Sequence, residues 1–156
     1  MAYRVTKTYG HELGLSACFR QWRADSHCRF LHGYALSFKF VFEADTLDDR
    51  NWVTDFGGLK PLKQWLCDTF DHKLVIAEDD PQLDMLASLA GLDLADVLVV
   101  EAVGCERFAH MAWNRAHELL LDLRRPAMPS GTVPRVRLIE VECREHGANA
   151  ASYTGD

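Results

Sequence analysis

The sequence lacks the features that would mark a membrane, secreted or nucleic-acid-binding protein. No stretch is long and apolar enough to span a bilayer. No apolar run follows the basic residues near Met1, so we expect no signal peptide. Positive charge is in short supply, because 17 Lys and Arg stand against 23 Asp and Glu, for a formal charge of -6. This balance argues against non-specific nucleic-acid binding, while a local basic pocket for a small anion stays open.

A disulfide framework is missing as well. The cysteines are odd in number and scattered, without a CxxC pair: Cys18, Cys28, Cys67, Cys105 and Cys143. This usage indicates free thiols in a reducing cytoplasm, and we expect a cytoplasmic protein. No internal repeat and no long linker occur, so residues 1–156 are predicted to form a single domain.

What the sequence does contain is enough apolar material for one core, arranged at first with the period of strands. Hydrophobic residues make up 48% of the 156 residues. Apolar residues of one parity run through 3–19 and predict a long strand, interrupted at Gly10 and Gly14. A charged, irregular loop follows. The clearest alternation covers 34–44, and a polar turn joins it to a short predicted strand at 52–54.

Helical periodicity dominates the second half of the chain. The predicted segments are a helix over about 58–70 with Asp55 near its start, a short helix within 80–96, a helix over 105–123, a loop containing Pro126, Pro129 and Pro134, and a last strand over 135–143. The tail after His146 is small and polar. This order predicts an α+β fold, with the helices on one face of an antiparallel sheet.

The segment from Cys28 to Tyr34 offers a thiol four residues before the imidazole of His32. A cysteine becomes reactive when a base or a positive charge lies beside it, and His27 and Arg29 are the nearest sources of charge. The alternative is a structural cysteine beside a turn. This segment alone favours that alternative, because cysteine is among the most buried residue types.

Asp71 and His72 follow the first predicted helix directly. An aspartate can orient a histidine that works as an acid or base. Because the two residues are adjacent, a hydrogen bond between them depends on the local turn. The alternative is an ordinary helix C-terminus, where His72 and Lys73 lie near the last carbonyls.

The last predicted strand contains two carboxylates, Glu140 and Glu142. Simple alternation places them on the same face as Val136 and Leu138. A carboxylate on an apolar face needs a partner, and a pterin or guanine ring offers adjacent N–H donors that suit it. The alternative, at even odds, is a strand that runs out into solvent.

Taken together, these segments resemble the 6-pyruvoyl-tetrahydropterin synthase and 6-carboxy-tetrahydropterin synthase family. The matching features, in chain order, are Leu15–Phe19, Cys28–Tyr34, Val53–Phe56, Asp71–Leu74, Glu106, and Val141–Cys143 followed by Tyr153–Gly155. The resemblance covers nearly the whole chain apart from an extended region at about 78–100. It implies the tunnelling fold, an antiparallel four-stranded sheet with two helices packed on one face, assembled into an oligomeric barrel.

The resemblance also assigns roles to individual residues. Cys28 falls on the position of the family's catalytic cysteine, and Asp71 and His72 on its catalytic Asp–His pair. Glu142 falls on the position of the glutamate that anchors the pterin. Glu106 matches a glutamate at the start of the second helix and is a further candidate for substrate binding.

The family's metal site is where the match fails. Its three zinc-binding histidines correspond here to Phe19, His32 and Tyr34. Phenylalanine cannot bind a metal, and a neutral tyrosine binds zinc poorly. Of the possible replacements, His11 lies about 26 Å from Phe19 along a strand, whereas His27 lies in a loop and can swing in. One histidine does not hold zinc at useful affinity, so no zinc is expected at the usual place.

The leading hypothesis is a lyase of this family that acts on dihydroneopterin triphosphate or a related pterin, in the queuosine, biopterin or folate pathway. The alternative is a non-catalytic pterin- or purine-binding protein of the same fold. By resemblance we expect a homo-hexamer built from two trimers, because barrel formation pairs exposed strand edges. No nucleic-acid or membrane partner is expected.

Overall fold

The computed structural model describes residues 1–122 and 135–155, and the predicted 126–134 loop and the helix end at Leu123 lie outside this range. The strands are β1 (Tyr3–Tyr9), β2 (Leu15–Phe19), β3 (His32–Ala44), β4 (Lys73–Ala77), β5 (Asp96–Val100), β6 (Arg137–His146) and β7 (Asn149–Tyr153). The α-helices are α1 (Lys60–Phe70), α2 (Leu83–Gly91) and α3 (Cys105–Asp122). Across the described residues, no helix combines the length and apolar character needed to cross a membrane.

A seven-stranded mixed sheet organises the molecule. β1 and β2 pair with successive halves of one edge of β3, and β6 pairs with its other edge, all antiparallel. β7 extends β6 antiparallel, whereas β4 and β5 extend β2 in parallel. The α+β class is confirmed. The prediction of four antiparallel strands is wrong, because the sheet has seven strands and because β4 and β5 join it in parallel.

The first strand of the parallel extension, β4, escaped prediction because both of its faces are buried. Val75 belongs to the main core, while Leu74 and Ile76 pack with Leu86 of α2 in a second cluster. A strand buried on both faces is apolar throughout and shows no alternation. The same packing places α2 on the opposite side of the sheet from the main core, so only α1 and α3 share one face as predicted.

The predicted alternation in β3 is confirmed and produces the main core. Phe38, Phe40 and Phe42 are fully buried, and each contributes about 1.5–3 kcal/mol through burial. The ring of Phe38 lies 5.0 Å from that of Phe70 on α1, which in turn lies 5.2 Å from that of Phe108 on α3. These aromatic contacts hold both helices against the sheet.

Hydrogen bonds from backbone N–H groups to aspartate side chains determine the conformation of the segment between β3 and α1. The predicted strand at 52–54 is wrong, because an oxygen of the buried Asp48 accepts hydrogen bonds from the backbone N–H groups of Arg50 and Trp52, each at 2.9 Å, and closes a turn. Asp55 then accepts from the N–H of Gly57 at 2.8 Å and begins a short 3-10 turn that leads into α1.

The interruption predicted in the first strand is also present. A 3-10 turn at His11–Leu13 separates β1 from β2. It ends at Gly14 with φ of 77°, a left-handed conformation that favours glycine. The break lets β2 leave the line of β1 and accept β4 as a neighbour.

Candidate active site

The three positions that resemblance assigns to zinc lie side by side on the helix-facing side of the sheet. Phe19 pairs with His32 in the β2–β3 register, and Tyr34 lies two residues further along β3. Ring centroids are 5.6 Å apart for Phe19 and His32, and 5.4 Å apart for His32 and Tyr34. Phe108 and His146 pack against this group at 5.1 Å from Phe19 and 6.0 Å from Tyr34. We refer to these five rings as the aromatic cluster.

The residues of the aromatic cluster do not fit a zinc ion. Phe19 is 1% exposed and fills the position of one ligand with a ring that has no donor atom. The Nδ1 of His32 donates to the carbonyl of Phe30 at 2.7 Å, which leaves only Nε2 to bind a metal. Within residues 1–122 and 135–155, no group of three or more His, Cys, Asp or Glu is arranged to hold a metal ion. The absence of zinc from this protein stays a prediction.

Tyr34 is half-buried within the aromatic cluster. Burial raises the pKa of its phenol most, and the charges of Glu145, Cys28 and Cys105 raise this pKa further. A phenol with a raised pKa is neutral at physiological pH, as an ordinary tyrosine is, and a neutral phenol is a poor metal ligand.

Local hydrogen bonds hold Cys28 in this neighbourhood. The hydroxyl of Ser26 accepts from the backbone N–H of Cys28 at 3.3 Å and caps a 3-10 turn, His27–Arg29. The carbonyl of Cys28 accepts from the N–H of Gln21 at 2.9 Å. The residue is half-buried. The predicted thiol thus lies on a short turn four residues before His32 of the aromatic cluster, and it is partly accessible.

The start of α3 contributes Cys105 and Glu106 to the same region. Cys143 on β6 is fully buried. Burial, a hydrogen bond with Cys105, and the charges of Glu145 and Glu106 raise the pKa of the Cys143 thiol. Cys143 is thus a packing thiol, whereas Glu106 is exposed in the first turn of α3, and its part in substrate binding stays a prediction. Its carboxylate in the first turn is also favoured by the helix dipole.

Glu142, the predicted anchor, lies on the other face of the sheet. Its carboxylate pairs with Lys39 at 3.3 Å and with Arg144 at 3.0 Å. The register runs from Phe42 opposite Leu138 to Val41 opposite Glu140, so a bulge at Ile139 shifts the alternation by one residue. The prediction that Glu140 and Glu142 share a face with Leu138 is therefore wrong, because Leu138 is buried in the core.

Glu145 is the other carboxylate of β6 to consider in place of Glu142, and it was not predicted from the sequence. It lies in a second irregularity of β6, between the pairs Arg144–Ala150 and His146–Asn149. It lies two residues after Cys143, which is buried in the main core, and directly before His146, whose ring packs against Tyr34. The predicted strand ended at Cys143. Alternation counted onward from Cys143 would have indicated Glu145.

Asp71 and His72 form the predicted pair but lie apart from the aromatic cluster. The Nδ1 of His72 donates to Asp71 Oδ1 at 2.6 Å. His72 has a φ of 56°, and its side chain is 86% exposed. It lines a cleft of about 380 Å³ with Cys18 and Gly33. Those two residues face the side of the β2–β3 pair opposite Phe19 and Tyr34, as their register shows.

In the described chain, Tyr34 belongs to the aromatic cluster, and Cys28 and Glu145 lie on the segments next to it, whereas Glu142 and His72 lie on the opposite side of the sheet. Helices packed on a mixed sheet define an α+β protein. The family model described as 6-pyruvoyl tetrahydropterin synthase matches residues 10–156, and the chain belongs to this family.

Curated relatives carry a related name. The chain is 27% identical over 164 aligned positions to the 6-carboxy-5,6,7,8-tetrahydropterin synthase of Aquifex aeolicus, with 98% of both chains covered. It is 33% identical over 57 residues to the synthase of the same name from Rickettsia bellii. That shorter match covers 36% of this chain and 41% of the relative.

Solved structures share the fold at lower identity. An uncharacterized protein of Wolinella succinogenes has a TM-score of 0.73 at 22% identity, with 100% of this chain and 99% of that chain covered. The 6-pyruvoyl tetrahydropterin synthase of Plasmodium falciparum has a TM-score of 0.65 at 14% identity, with 97% and 96% covered. These likenesses show the tunnelling fold.

Proposed function

We propose that this protein is a lyase of the family, acting on dihydroneopterin triphosphate or a related pterin by thiol and imidazole proton transfer. The observation that carries the proposal is that Cys28 and Glu145 lie on the two segments next to the aromatic cluster. The names of the Aquifex aeolicus and Rickettsia bellii relatives support a tetrahydropterin product.

Glu145 takes the anchoring role that resemblance alone gave to Glu142. A carboxylate accepts two N–H bonds from the pyrimidine edge of a pterin, and such charge-assisted pairs fix the plane of the ring. Glu142 already uses its oxygens on Lys39 and Arg144, so it has little capacity left for a ligand. In this proposal Glu106 accepts a further N–H from the same ring.

Cys28 and His72 reach one pocket when two subunits contribute. In a single chain they lie on opposite sides of the β2–β3 pair, whereas the barrel implied by resemblance has its pockets at subunit interfaces. Among the described strands, β1 pairs only with β3 and β7 only with β6, so each offers an outer edge to a neighbour. We therefore expect a homo-oligomer, in the form of a hexamer, with a composite site.

The proposed proton transfers use side chains of this protein. Cys28 exchanges a proton with the substrate side chain, while the Asp71–His72 pair serves as its acid or base. Tyr34 donates a hydrogen bond to a substrate oxygen from one of the positions that resemblance assigns to zinc. The aromatic cluster does not fit a metal, so no step depends on one.

A subunit-mixing experiment tests both the reaction and the composite site. Wild type should convert dihydroneopterin triphosphate, followed by mass spectrometry of the products. Cys28→Ala and His72→Ala should each lose about 100-fold or more of that rate. After subunit exchange, an equal mixture of the two variants should regain about a quarter of the wild-type rate, because random assembly of a shared-interface oligomer creates that share of intact sites. Pterin binding without turnover, unaffected by Cys28→Ala, would contradict the proposal.

A further inference from the structure

The extended region that begins near residue 78 is joined to the loop after β2 by a buried ion pair. Asp80 lies between β4 and α2, and its side chain is 1% exposed. Arg20 binds it in bidentate fashion, with Nε to Oδ2 at 2.8 Å and Nη2 to Oδ1 at 2.6 Å. The same carboxylate accepts the backbone N–H of Gln82 at 2.8 Å at the start of α2. Every oxygen of Asp80 is thus committed to this junction.

Gln21, the residue after Arg20, connects the ion pair to the turn that contains Cys28. The backbone N–H of Gln21 donates to the carbonyl of Cys28 at 2.9 Å. The side-chain amide of Gln21 donates to the carbonyl of Val103 at 3.0 Å, directly before the start of α3. Gln21 therefore connects the Cys28 turn to the part of the site that holds Cys105 and Glu106.

A second set of contacts runs parallel to the buried pair but lies nearer the surface. Asp79 accepts from Trp22 Nε1 at 3.0 Å and pairs with Arg23 at 2.7 Å. The side chains of Arg23 and Asp79 are 71% and 43% exposed. Exposed ion pairs restrain a loop weakly, so Asp79 provides a matched control next to Asp80.

We propose that Asp80 is a positioning residue whose bidentate pair with Arg20 holds the loop that presents the Cys28 thiol to the site. The extended region then has a role in the site, because its first residues brace the segment that carries the thiol. The kinetic part of this inference rests on the proposed function, while the structural part concerns only the placement of Cys28.

Alkylation of Cys28 by iodoacetamide measures that placement in the full-length native protein, with each cysteine resolved by peptide mass spectrometry. Asp80→Asn removes the charge that Arg20 needs, so the half-buried Cys28 should react about tenfold faster through local opening. Arg20→Lys should give an intermediate rate, because a lysine cannot supply the two-pronged contact. Asp79→Asn should stay within about twofold of wild type.

A variant that loses stability without touching the pair separates positioning from general weakening. Leu86→Ala removes a buried side chain from the second cluster and leaves Asp80 and Arg20 intact. Its Cys28 rate should stay within about twofold of wild type under conditions where all variants are folded. In turnover assays, Asp80→Asn should lower kcat by about 10- to 100-fold with little change in KM.

An unchanged or lower Cys28 rate in Asp80→Asn overturns the proposal, and so does an equal rise in Leu86→Ala. The alkylation result does not depend on whether the wild type converts a pterin. Failure of the proposed function and failure of the proposed role of Asp80 are therefore distinguishable. A rise in the alkylation rate of Cys28 that is confined to the Asp80 and Arg20 variants supports the proposed role of the ion pair.

Discussion

Exchanging the two carboxylates of β6 for amides, one at a time, tests which of them binds the ring. Glu145 and Glu142 are three residues apart on one strand but face opposite sides of the sheet. Glu145→Gln replaces one acceptor oxygen with an NH2 group that opposes the N–H donors of a pterin. Hydrogen bonds to a charged partner contribute about 1.5–3 kcal/mol each. Loss of one such bond should therefore raise the Kd by about 10- to 150-fold.

Glu142→Gln is the matched control. Its carboxylate faces Lys39 and Arg144, whose side chains are 32% and 33% exposed, so the pair is only partly shielded from water. The change should cost about 1 kcal/mol of stability or less and leave the Kd within about twofold of wild type.

Fluorescence titration with neopterin, a fluorescent pterin, measures the Kd of each variant, and urea unfolding measures its stability. The reasoning is refuted if Glu142→Gln weakens binding more than Glu145→Gln does. It is also refuted if both variants bind as tightly as wild type.

Two further predictions concern the metal and the pH dependence of stability. Protein purified with added zinc should retain less than about 0.1 zinc per chain by elemental analysis. The double variant Phe19→His/Tyr34→His, which has three imidazoles at these positions, should bind Co²⁺ and show visible absorption bands. Stoichiometric zinc in the wild type would contradict this prediction. The hydrogen bond from Arg20 holds the pKa of Asp80 below its usual range, despite the opposing effect of burial. Asp80 therefore stabilises the fold above its unfolded pKa of about 3.9, and this contribution is lost as the pH falls through the lower folded value. The stability difference between wild type and Asp80→Asn in urea unfolding should be full at pH 7 and shrink in stronger acid, and a constant difference would contradict the assignment.

Several elements could be predicted because one physical signal dominated each of them. The alternation around Phe38, Phe40 and Phe42 reflects a strand with one buried face, and the spacing of Leu62 and Leu66 reflects a helix with a buried stripe. Asp55 precedes α1 because its side chain satisfies a free N–H at the start of the preceding turn. In these cases the local pattern and the tertiary packing agree.

Other features escaped prediction because long-range pairing decided them. β7 consists of small and polar residues and is a strand because β6 offers it an edge. The two irregularities of β6, at Ile139 and Glu145, change which side chains face the core, and no residue in the sequence marks them. The bulge at Ile139 explains why Glu142 was predicted on the wrong face of the sheet, whereas Glu145 was missed because the predicted strand ended at Cys143.

The amino-acid sequence alone determined the α+β class, the family resemblance and the candidate thiol Cys28, and it predicted that Phe19 and Tyr34 occupy two of the family's three zinc-binding positions. These conclusions depend on residue type and spacing, which are local properties. Only the tertiary structure decided that Glu142 and His72 lie on the side of the sheet opposite the aromatic cluster. The physical reason is that the direction of a side chain on a strand depends on the register with its neighbours, and residues distant in the chain set that register.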